Sequence, residues 1–382
     1  FRRSCRNRKR VLGSKWIVRE WRQKMYRLLV ADDEMIERAV LVQLLEEELG
    51  DQCRIFQAEN GREALEVYEK EKIQIAVLDI EMPGMSGIEF LKQLLPVHPI
   101  PVILVSSLNL RVFDALEAGA VDFVRKPDEA NGLSKEIFLS MLRSKLLVAA
   151  ASHVHLPSVP ASPQAAKKRI VSPLTAAGNP FLNRPKTSAA ASQETVIAIG
   201  ASTGGTEAIL EVVKNFPENT PGVVITQHMP AGFTAMYAER LNRICKMEVR
   251  EAKNGDRIRK GLMLLAPGGL QMRVVPLGNS YAVSVQEGEK VNGHRPSVDV
   301  LFDSVALHVR EHAIGVLLTG MGADGAAGLL RMRKNGAYTI GQDKNSCVVY
   351  GMPMEAHKIG AVCQQCPLNT IGQTVLARVS LR

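Results

Sequence analysis

Three apolar runs in the second half of the chain, each followed by a turn with a reactive side chain, constrain the fold most strongly. The turns carry Ser202, His228 and Asp324. Because parallel sheets present functional groups just beyond the carboxyl ends of their strands, this arrangement predicts an α/β domain in which the three side chains meet. A serine hydroxyl becomes a nucleophile when an imidazole accepts its proton, and a carboxylate then orients the imidazole. The sequence therefore predicts a Ser-His-Asp hydrolase triad.

The turn around Ser202 also has another interpretation. The segment Gly200-Ala-Ser-Thr-Gly204 fits the G-x-S-x-G nucleophile elbow, and a helix expected near Thr206 would direct backbone N–H groups at a reacting carbonyl. A glycine-rich turn before a helix suits a bound phosphate equally well. Taken alone, His228 also fits a strand-end histidine and Asp324 a helix cap. The hydrolase interpretation therefore depends on the three residues together.

The order of the three residues along the chain gives a further distinction. Ordinary α/β-hydrolases have the order Ser, Asp, His, so that family is disfavoured here. Four blocks in about the last half of the chain instead resemble the CheB-type chemotaxis protein-glutamate methylesterases. The blocks are Ile199-Gly-Ala-Ser-Thr-Gly-Gly205, Gln227-His-Met-Pro230, Gly293-His-Arg-Pro-Ser-Val-Asp299 and Leu318-Thr-Gly-Met-Gly-Ala-Asp-Gly325.

This resemblance implies an activity and a set of roles. The expected substrates are glutamate methyl esters, and particular glutamines, on methyl-accepting chemotaxis receptors. Ser202 would be the nucleophile, His228 the base and Asp324 the residue that orients His228. The resemblance also implies that Thr203 and Met321 lie beside the triad, Met321 through its backbone N–H. No cofactor is expected in this domain.

Polar side chains also follow the strands predicted in the first half of the chain. Four apolar runs end next to Asp32 and Asp33, Asp79, Ser106 and Lys126. Clustered carboxylates repel one another unless a hard cation joins them, and Mg²⁺ prefers oxygen ligands. The pattern therefore predicts a Mg²⁺ site and a phosphoryl group on one aspartate. Taken singly, the aspartates also fit a helix cap, and Lys126 fits a solvated surface charge.

Residues 25–148 resemble a response-regulator receiver domain with a flavodoxin-like (βα)₅ fold. The resemblance implies that Asp79 is the phosphoacceptor and that the chemotaxis histidine kinase CheA is the phosphodonor. It also implies two sets of residues around the phosphoryl group. The Mg²⁺ ligands would be Asp32, Asp33, Asp79 and the backbone of Glu81, and the switch residues would be Ser106, Phe123 and Lys126. Many receivers carry threonine at the position of Ser106.

Composition divides the remainder of the chain. Phe1–Lys24 contains ten of the 48 Lys and Arg residues and one of the 39 Asp and Glu residues, so the rest carries 38 of each sign. We expect residues 1–24 to be a dispensable basic extension that is not native, with an RNA- or membrane-binding arm as the alternative. Residues 149–193 are rich in Ala, Ser and Pro and predict a linker. Residues 194–382 are expected to form the methylesterase domain, with a mainly parallel sheet.

Several features argue against other classes of site. No apolar stretch is long enough to span a membrane, so we expect a cytoplasmic monomer without membrane insertion. The neutral charge beyond residue 24 argues against nucleic-acid binding. His308-Val-Arg-Glu-His312 has the spacing of an inverzincin motif but is expected to close an amphipathic helix that starts near Ser297. Cys363-Gln-Gln-Cys366 is a lone pair, so zinc is not expected there.

Two other functions fit part of the pattern. One is a phosphorylation-controlled binding module whose second domain is not catalytic. The other is a response regulator with a DNA-binding output, which would need a helix-turn-helix and a basic face. The favoured interpretation is a phosphorylation-activated hydrolase that serves adaptation in chemotaxis.

Overall fold

The computed structural model describes residues 25–107, 111–127, 134–150, 152 and 194–381. The basic segment 1–24, and nearly all of the segment predicted to be a linker, therefore lie outside the described residues.

The first sheet has five parallel strands in the order β2-β1-β3-β4-β5. The strands are β1 (Tyr26–Ala31), β2 (Cys53–Ala58), β3 (Ile75–Leu78), β4 (Val102–Ser106) and β5 (Asp122–Arg125). Successive residues of β1 face opposite sides, with Leu28 and Val30 in one apolar cluster and Leu29 and Ala31 in another. Because both of their faces are buried, the inner strands β3 and β4 are almost continuous apolar runs in the sequence, whereas the edge strand β2 is only partly buried.

Five helices cover this sheet: α1 (Met35–Leu49), α2 (Gly61–Glu71), α3 (Gly87–Leu94), α4 (Arg111–Glu117) and α5 (Lys135–Ala150). The start of α3 is fixed by a capping box, in which Ser86 and Glu89 satisfy each other's backbone N–H groups. Gly87 allows a close approach there, since a Cβ at this position would lie 2.2 Å from the Asp79 carbonyl oxygen. Helix α5 ends at Ala150, two residues beyond the boundary expected at 148.

The second sheet has seven parallel strands in the order β15-β14-β13-β6-β7-β10-β8. Its strands are β6 (Val196–Ala201), β7 (Gly222–Gln227), β8 (Glu248–Glu251), β10 (Leu262–Leu265), β13 (Ala313–Leu317), β14 (Tyr338–Gln342) and β15 (Gln364–Cys366). The chain passes from β6 to β7 on one side and later returns to place β13 on the other side. A crevice forms at the carboxyl ends of strands where the order reverses in this way.

A smaller antiparallel sheet, in the order β11-β12-β9, consists of β9 (Arg257–Ile258), β11 (Gln271–Leu277) and β12 (Ser280–Gln286). The helices of this half are α6 (Gly205–Val213), α7 (Phe233–Ile244), α8 (Val298–His308), α9 (Ala326–Lys334), α10 (Met352–Lys358) and α11 (Leu368–Ser380). Strand β6 separates two apolar clusters, with Ile197 and Ile199 on one side and Val196 and Ala198 on the other.

The predicted fold class is confirmed, because both halves are α/β units built on parallel sheets. In the hairpin, β11 and β12 extend until Leu277 pairs with Ser280, which leaves a two-residue turn. One detail differs from the sequence prediction. The helix that starts after Ser297 ends at His308, because Arg310 has a φ of 57° that an α-helix does not accommodate. Within the described part of the chain, no helix is both long and apolar enough to cross a membrane.

Candidate functional site

Ser202 lies in the turn between β6 and α6, at the carboxyl end of the central strand of the seven-stranded sheet. The Ser202 backbone N–H donates a 3.0 Å hydrogen bond to the Thr319 carbonyl, and the Gly205 N–H donates one of 2.7 Å to the Ser202 carbonyl. Gly204 has a φ of 73°, a left-handed conformation that costs glycine little. The turn therefore holds the Ser202 side chain at the start of α6.

His228 follows β7 and lies between the other two predicted triad residues. Its Nδ1 is 3.1 Å from the Ser202 Oγ, and its Nε2 is 2.7 Å from an Asp324 carboxylate oxygen. The side chain of His228 is only 7% exposed. An ionised Asp324 accepts a hydrogen bond from the Nε2–H, which leaves Nδ1 unprotonated as the acceptor for the serine hydroxyl. The structure thus joins Ser202, His228 and Asp324 in one chain of hydrogen bonds.

Asp324 lies after β13, on the other side of β6, and its carboxylate is almost fully buried. It accepts hydrogen bonds from the Ser297 hydroxyl at 2.8 Å, the Val298 N–H at 2.7 Å and the Asn292 amide at 2.8 Å. Burial alone would raise the pKa of Asp324, but the hydrogen bonds from His228, Asn292 and Ser297 hold that pKa well below its usual range. The N-terminus of α8 also favours a negative charge at this position.

Thr203 and Met321, the two residues expected beside the triad, differ in their contacts. Thr203 is buried, and its hydroxyl donates a 2.7 Å hydrogen bond to Asp122 at the start of β5. Met321 belongs to a loop packed on the nucleophile turn, since a Cβ on its neighbour Gly320 would lie 2.7 Å from the Ser202 Cβ. Among the described residues, the Met321 backbone N–H has no hydrogen-bond partner.

Sequence reasoning assigned no role to three residues that contact the triad. The Asn292 amide bridges Asp324 and Asp299, Ser297 caps α8 while it donates to Asp324, and the His294 ring stacks on the His228 ring. All three lie in or next to the Gly293–Asp299 block that contributed to the family resemblance. That block was the available signal, but the pattern did not show which of its side chains face the triad.

The carboxylates predicted to bind Mg²⁺ lie together at the carboxyl edge of the five-stranded sheet. Oxygen atoms of Asp32, Asp33 and Asp79 lie within 4.8 Å of one another, and no other such group of His, Cys, Asp or Glu occurs in the described part of the chain. Oxygen donors at this spacing fit a hard cation such as Mg²⁺. The backbone N–H of Glu81 is 3.4 Å from an Asp79 carboxylate oxygen, so Glu81 also lies at this edge.

Lys126 offsets part of the negative charge of this cluster. Its Nζ is 3.0 Å from Asp32, 2.6 Å from Asp79 and 2.7 Å from Glu37. Burial opposes the charged form, but the hydrogen bonds with Asp79 and Glu37 raise the pKa of Lys126 above its usual range. Burial also raises the pKa of Asp32. Glu37 was not predicted as a partner of Lys126, because a glutamate in a helix is usually a solvated surface charge.

The other two predicted switch residues lie on neighbouring strands. Ser106 ends β4, and its carbonyl accepts a 2.9 Å hydrogen bond from the Lys126 backbone N–H. Phe123 is buried in β5, where its ring centroid is 4.5 Å from that of Phe233 in the other half of the chain. Phe123 therefore connects β5, the strand that precedes Lys126, with α7 in the second half of the chain.

Contacts besides the one between Phe123 and Phe233 also join the two halves. Phe113 stacks on Tyr237 at 5.5 Å. Arg240 forms ion pairs with Glu117 of the first half at 2.9 Å and with Glu207 of the second half at 2.8 Å. The apolar part of this contact belongs to a cluster of buried side chains that extends into both sheets. The first half consequently covers the turn that contains Thr203.

Comparisons with known proteins agree with both resemblances. The family model for CheB methylesterase matches residues 197–375, and the model for the response regulator receiver domain matches residues 28–138. A relative from Syntrophomonas wolfei, named protein-glutamate methylesterase/protein-glutamine glutaminase 2, is 47% identical over 354 residues, which are 93% of this chain and 98% of that relative.

Two further proteins are similar over whole domains. A protein-glutamate methylesterase/protein-glutamine glutaminase from Salmonella typhimurium is 40% identical over 358 residues, which are 93% of this chain and 97% of that relative. The crystal structure of the Thermotoga maritima CheB methylesterase catalytic domain is 32% identical, with a TM-score of 0.47, and the match covers 48% of this chain and 98% of that domain. The identity and coverage of the relatives show that this chain, with its receiver and catalytic halves, belongs to the CheB methylesterase family.

Proposed function

We propose that this chain hydrolyses glutamate methyl esters, and deamidates particular glutamines, on methyl-accepting chemotaxis receptors. The observation that carries the proposal is the hydrogen-bonded chain Ser202–His228–Asp324 in a member of a methylesterase family. The S. wolfei and S. typhimurium relatives are named for both activities.

The mechanism follows from the donors and acceptors in this chain. The Ser202 Oγ attacks the γ-carbonyl carbon of the methylated glutamate while the His228 Nδ1 accepts the hydroxyl proton. The tetrahedral intermediate collapses as His228 returns the proton to the departing methoxide, which leaves as methanol. Water then attacks the acyl-enzyme, His228 accepts its proton and returns it to Ser202, and glutamate is released. With a glutamine substrate, ammonia leaves instead of methanol.

Two groups support this sequence of steps. Asp324 stays ionised and stabilises the imidazolium that forms on His228, consistent with the lowered pKa of its carboxyl. The backbone N–H of Met321 is a donor for the oxyanion of the tetrahedral intermediate, since the described residues offer it no other acceptor. Thr203 contributes the adjacent backbone of the nucleophile turn.

We also propose that phosphorylation of Asp79 activates the enzyme, with the kinase CheA as phosphodonor. Asp32, Asp33, Asp79 and the backbone carbonyl of Glu81 would hold Mg²⁺, which when bound neutralises the carboxylates and the phosphoryl oxygens. A phosphoryl group on Asp79 competes with the present ion pair between Asp79 and Lys126 and attracts Lys126 and the Ser106 hydroxyl. Phe123 repacks in response.

The proposed coupling between the halves uses the surface around Thr203. In the resting enzyme the receiver half, residues 25–148, covers the catalytic half, residues 194–382, and residues 149–193 link them. Repacking of Phe123 loosens its contact with Phe233 and favours an open state. A bias of about 1.4 kcal/mol between closed and open states changes their ratio about tenfold, so a modest rearrangement gives useful control.

The experiment is a methanol-release assay on membranes that contain methylated receptors. Wild-type protein should release methanol, and Ser202→Ala should not release it above the rate of membranes alone, since a triad acts as a unit. Ser380→Ala, which changes an exposed serine at the end of α11, is the matched control and should match wild type. A folded wild-type protein that binds receptor without methanol release would instead make the second half a non-catalytic binding module.

A further inference from the structure

We propose that His294 is a positioning residue that holds the ring of His228 in plane between Ser202 and Asp324 and presents a neutral aromatic face to the imidazolium that forms there. This inference rests on the proposed esterase function and adds a residue to its machinery.

The stacking geometry is the first observation. The ring centroids of His228 and His294 are 3.7 Å apart, and the two planes differ by 9°. The rings are therefore in direct face-to-face contact, closer than most aromatic pairs. A ring that rotates out of plane would lose both the 3.1 Å contact with Ser202 and the 2.7 Å contact with Asp324. The flat face of His294 limits that rotation.

The backbone that carries His294 is fixed on both sides. Val291 and His294 exchange reciprocal backbone hydrogen bonds of 3.1 and 2.9 Å, and the Gln271 amide donates to the His294 carbonyl at 3.2 Å. Asn292 lies between Val291 and His294 in the chain, and its side-chain amide donates a hydrogen bond to Asp324. The same turn thus contacts the carboxylate at one end of the triad and the imidazole in its middle. No side-chain hydrogen bond of His294 is present within the described residues, so its contact with the triad is through the ring face.

Burial and the positive groups around His294 keep its ring uncharged. Burial, and the neighbouring His228, Lys145 and Lys290, lower the pKa of His294 to about 3, against the opposing attraction of Asp324. His294 therefore carries no proton at neutral pH and does not compete with His228 as a base. An aromatic face favours a cation above it, so a neutral His294 stabilises His228 at the moment when His228 becomes positive.

The test uses the full-length protein with a small-molecule phosphodonor and Mg²⁺, and it measures methanol release against receptor concentration and pH. His294→Leu replaces the aromatic ring with an apolar side chain of similar volume. His294→Phe keeps an aromatic face but has no ring nitrogens. His357→Ala, an exposed histidine at the end of α10, is the matched control. Thermal unfolding of each variant reports on folding, and His294→Tyr replaces the phenylalanine variant if that variant does not fold.

The expected results distinguish a positioning role from contact between a ring nitrogen and the substrate, and from no role in catalysis. His294→Leu should lower kcat about ten- to hundredfold with little change in KM, because a small misplacement of a reacting group has a large effect on rate. His294→Phe should recover most of kcat with an unchanged pH profile. A folded aromatic variant as slow as His294→Leu would overturn the proposal and indicate that a ring nitrogen contacts the substrate. A folded His294→Leu variant with wild-type kcat would also overturn it. Failure of the proposed function is distinct, because wild type itself would then release no methanol.

Discussion

The hydroxyl of Thr203 donates a 2.7 Å hydrogen bond to the carboxylate of Asp122, which lies 81 residues earlier in the chain. Thr203 directly follows the candidate nucleophile, whereas Asp122 begins the strand that contains Phe123. Asp122 also accepts hydrogen bonds from Lys145 and from the Phe123 backbone N–H. The contact therefore links the turn that contains Ser202 to β5, the strand that is followed by Lys126 and its acidic partners.

Loss of this link should raise the resting activity. Asp122→Asn removes the charge that Thr203 and Lys145 share, and a buried hydrogen bond to a charged group contributes roughly 1.5–3 kcal/mol. We expect methanol release without phosphodonor to rise several-fold, and the further rise on phosphorylation to shrink. The control is Asp51→Asn, which changes an exposed aspartate just before β2, the edge strand on the other side of the receiver sheet from β5. Unchanged resting activity in a folded Asp122→Asn protein would argue against this contact as part of the closed state.

The orienting role of Asp324 gives a second prediction. Asp324→Asn keeps the shape of the side chain but loses the charge that fixes the Nε2 proton of His228. We expect kcat to fall roughly 10³–10⁴-fold while the protein stays folded, as for other triads of this kind. Asp303→Asn, which changes a half-buried α8 aspartate paired with Arg331, should lie close to wild type. A loss below tenfold in Asp324→Asn would contradict the assigned role.

Stability at mildly acidic pH provides a test that does not depend on activity. The pKa of His294 is about 3 in the folded protein, whereas an unfolded histidine titrates near 6.5. As pH falls below about 6.5, the unfolded chain therefore binds a proton that the folded chain does not, and the wild type loses stability. The His294→Phe variant has no side chain that could bind this proton at position 294. We expect the free energy of unfolding of His294→Phe, relative to wild type, to rise by on the order of 1–2 kcal/mol between about pH 7 and about pH 5.

Another group titrates in the same pH range and must be separated from His294. Burial raises the pKa of Asp299 to about 6, so this carboxyl changes the stability of both proteins in the opposite direction. The difference between variant and wild type removes its contribution. Urea unfolding at several pH values measures that difference. A difference that does not change with pH would mean that the folded and unfolded states bind the same number of protons at His294.

The sequence predicted the sheets well because the signal is local. Strands buried on both faces, such as β1 and β6, are continuous apolar runs, and the turns that follow them carry Asp32, Ser202 and their partners. The sequence placed His228 and Asp324 in turns after such runs, and the structure shows that their strands, β7 and β13, flank β6. These features depend on residues near one another in the sequence or on the general geometry of parallel sheets.

The parts that the sequence did not predict depend on packing between distant segments. Asn292 and His294 reach the triad only because their turn folds back over β7 and β13, and no periodicity marks that path. In the sequence, Asp122 has no feature that distinguishes it from other strand residues, and its role depends on the hydrogen bond from Thr203 in the other half of the chain. Glu37 lies in the first turn of α1, and its contact with Lys126 depends on how α1 packs on the receiver sheet.

We propose that phosphorylation of Asp79 controls the serine methylesterase activity of this chain. The most direct measurement is the rate of methanol release from methylated receptors by full-length wild type and Asp79→Asn, each with and without a small-molecule phosphodonor and Mg²⁺. We predict that phosphodonor raises the wild-type rate several-fold and leaves the Asp79→Asn rate unchanged. A wild-type rate that phosphodonor does not alter, or an equal rise in Asp79→Asn, would contradict the account.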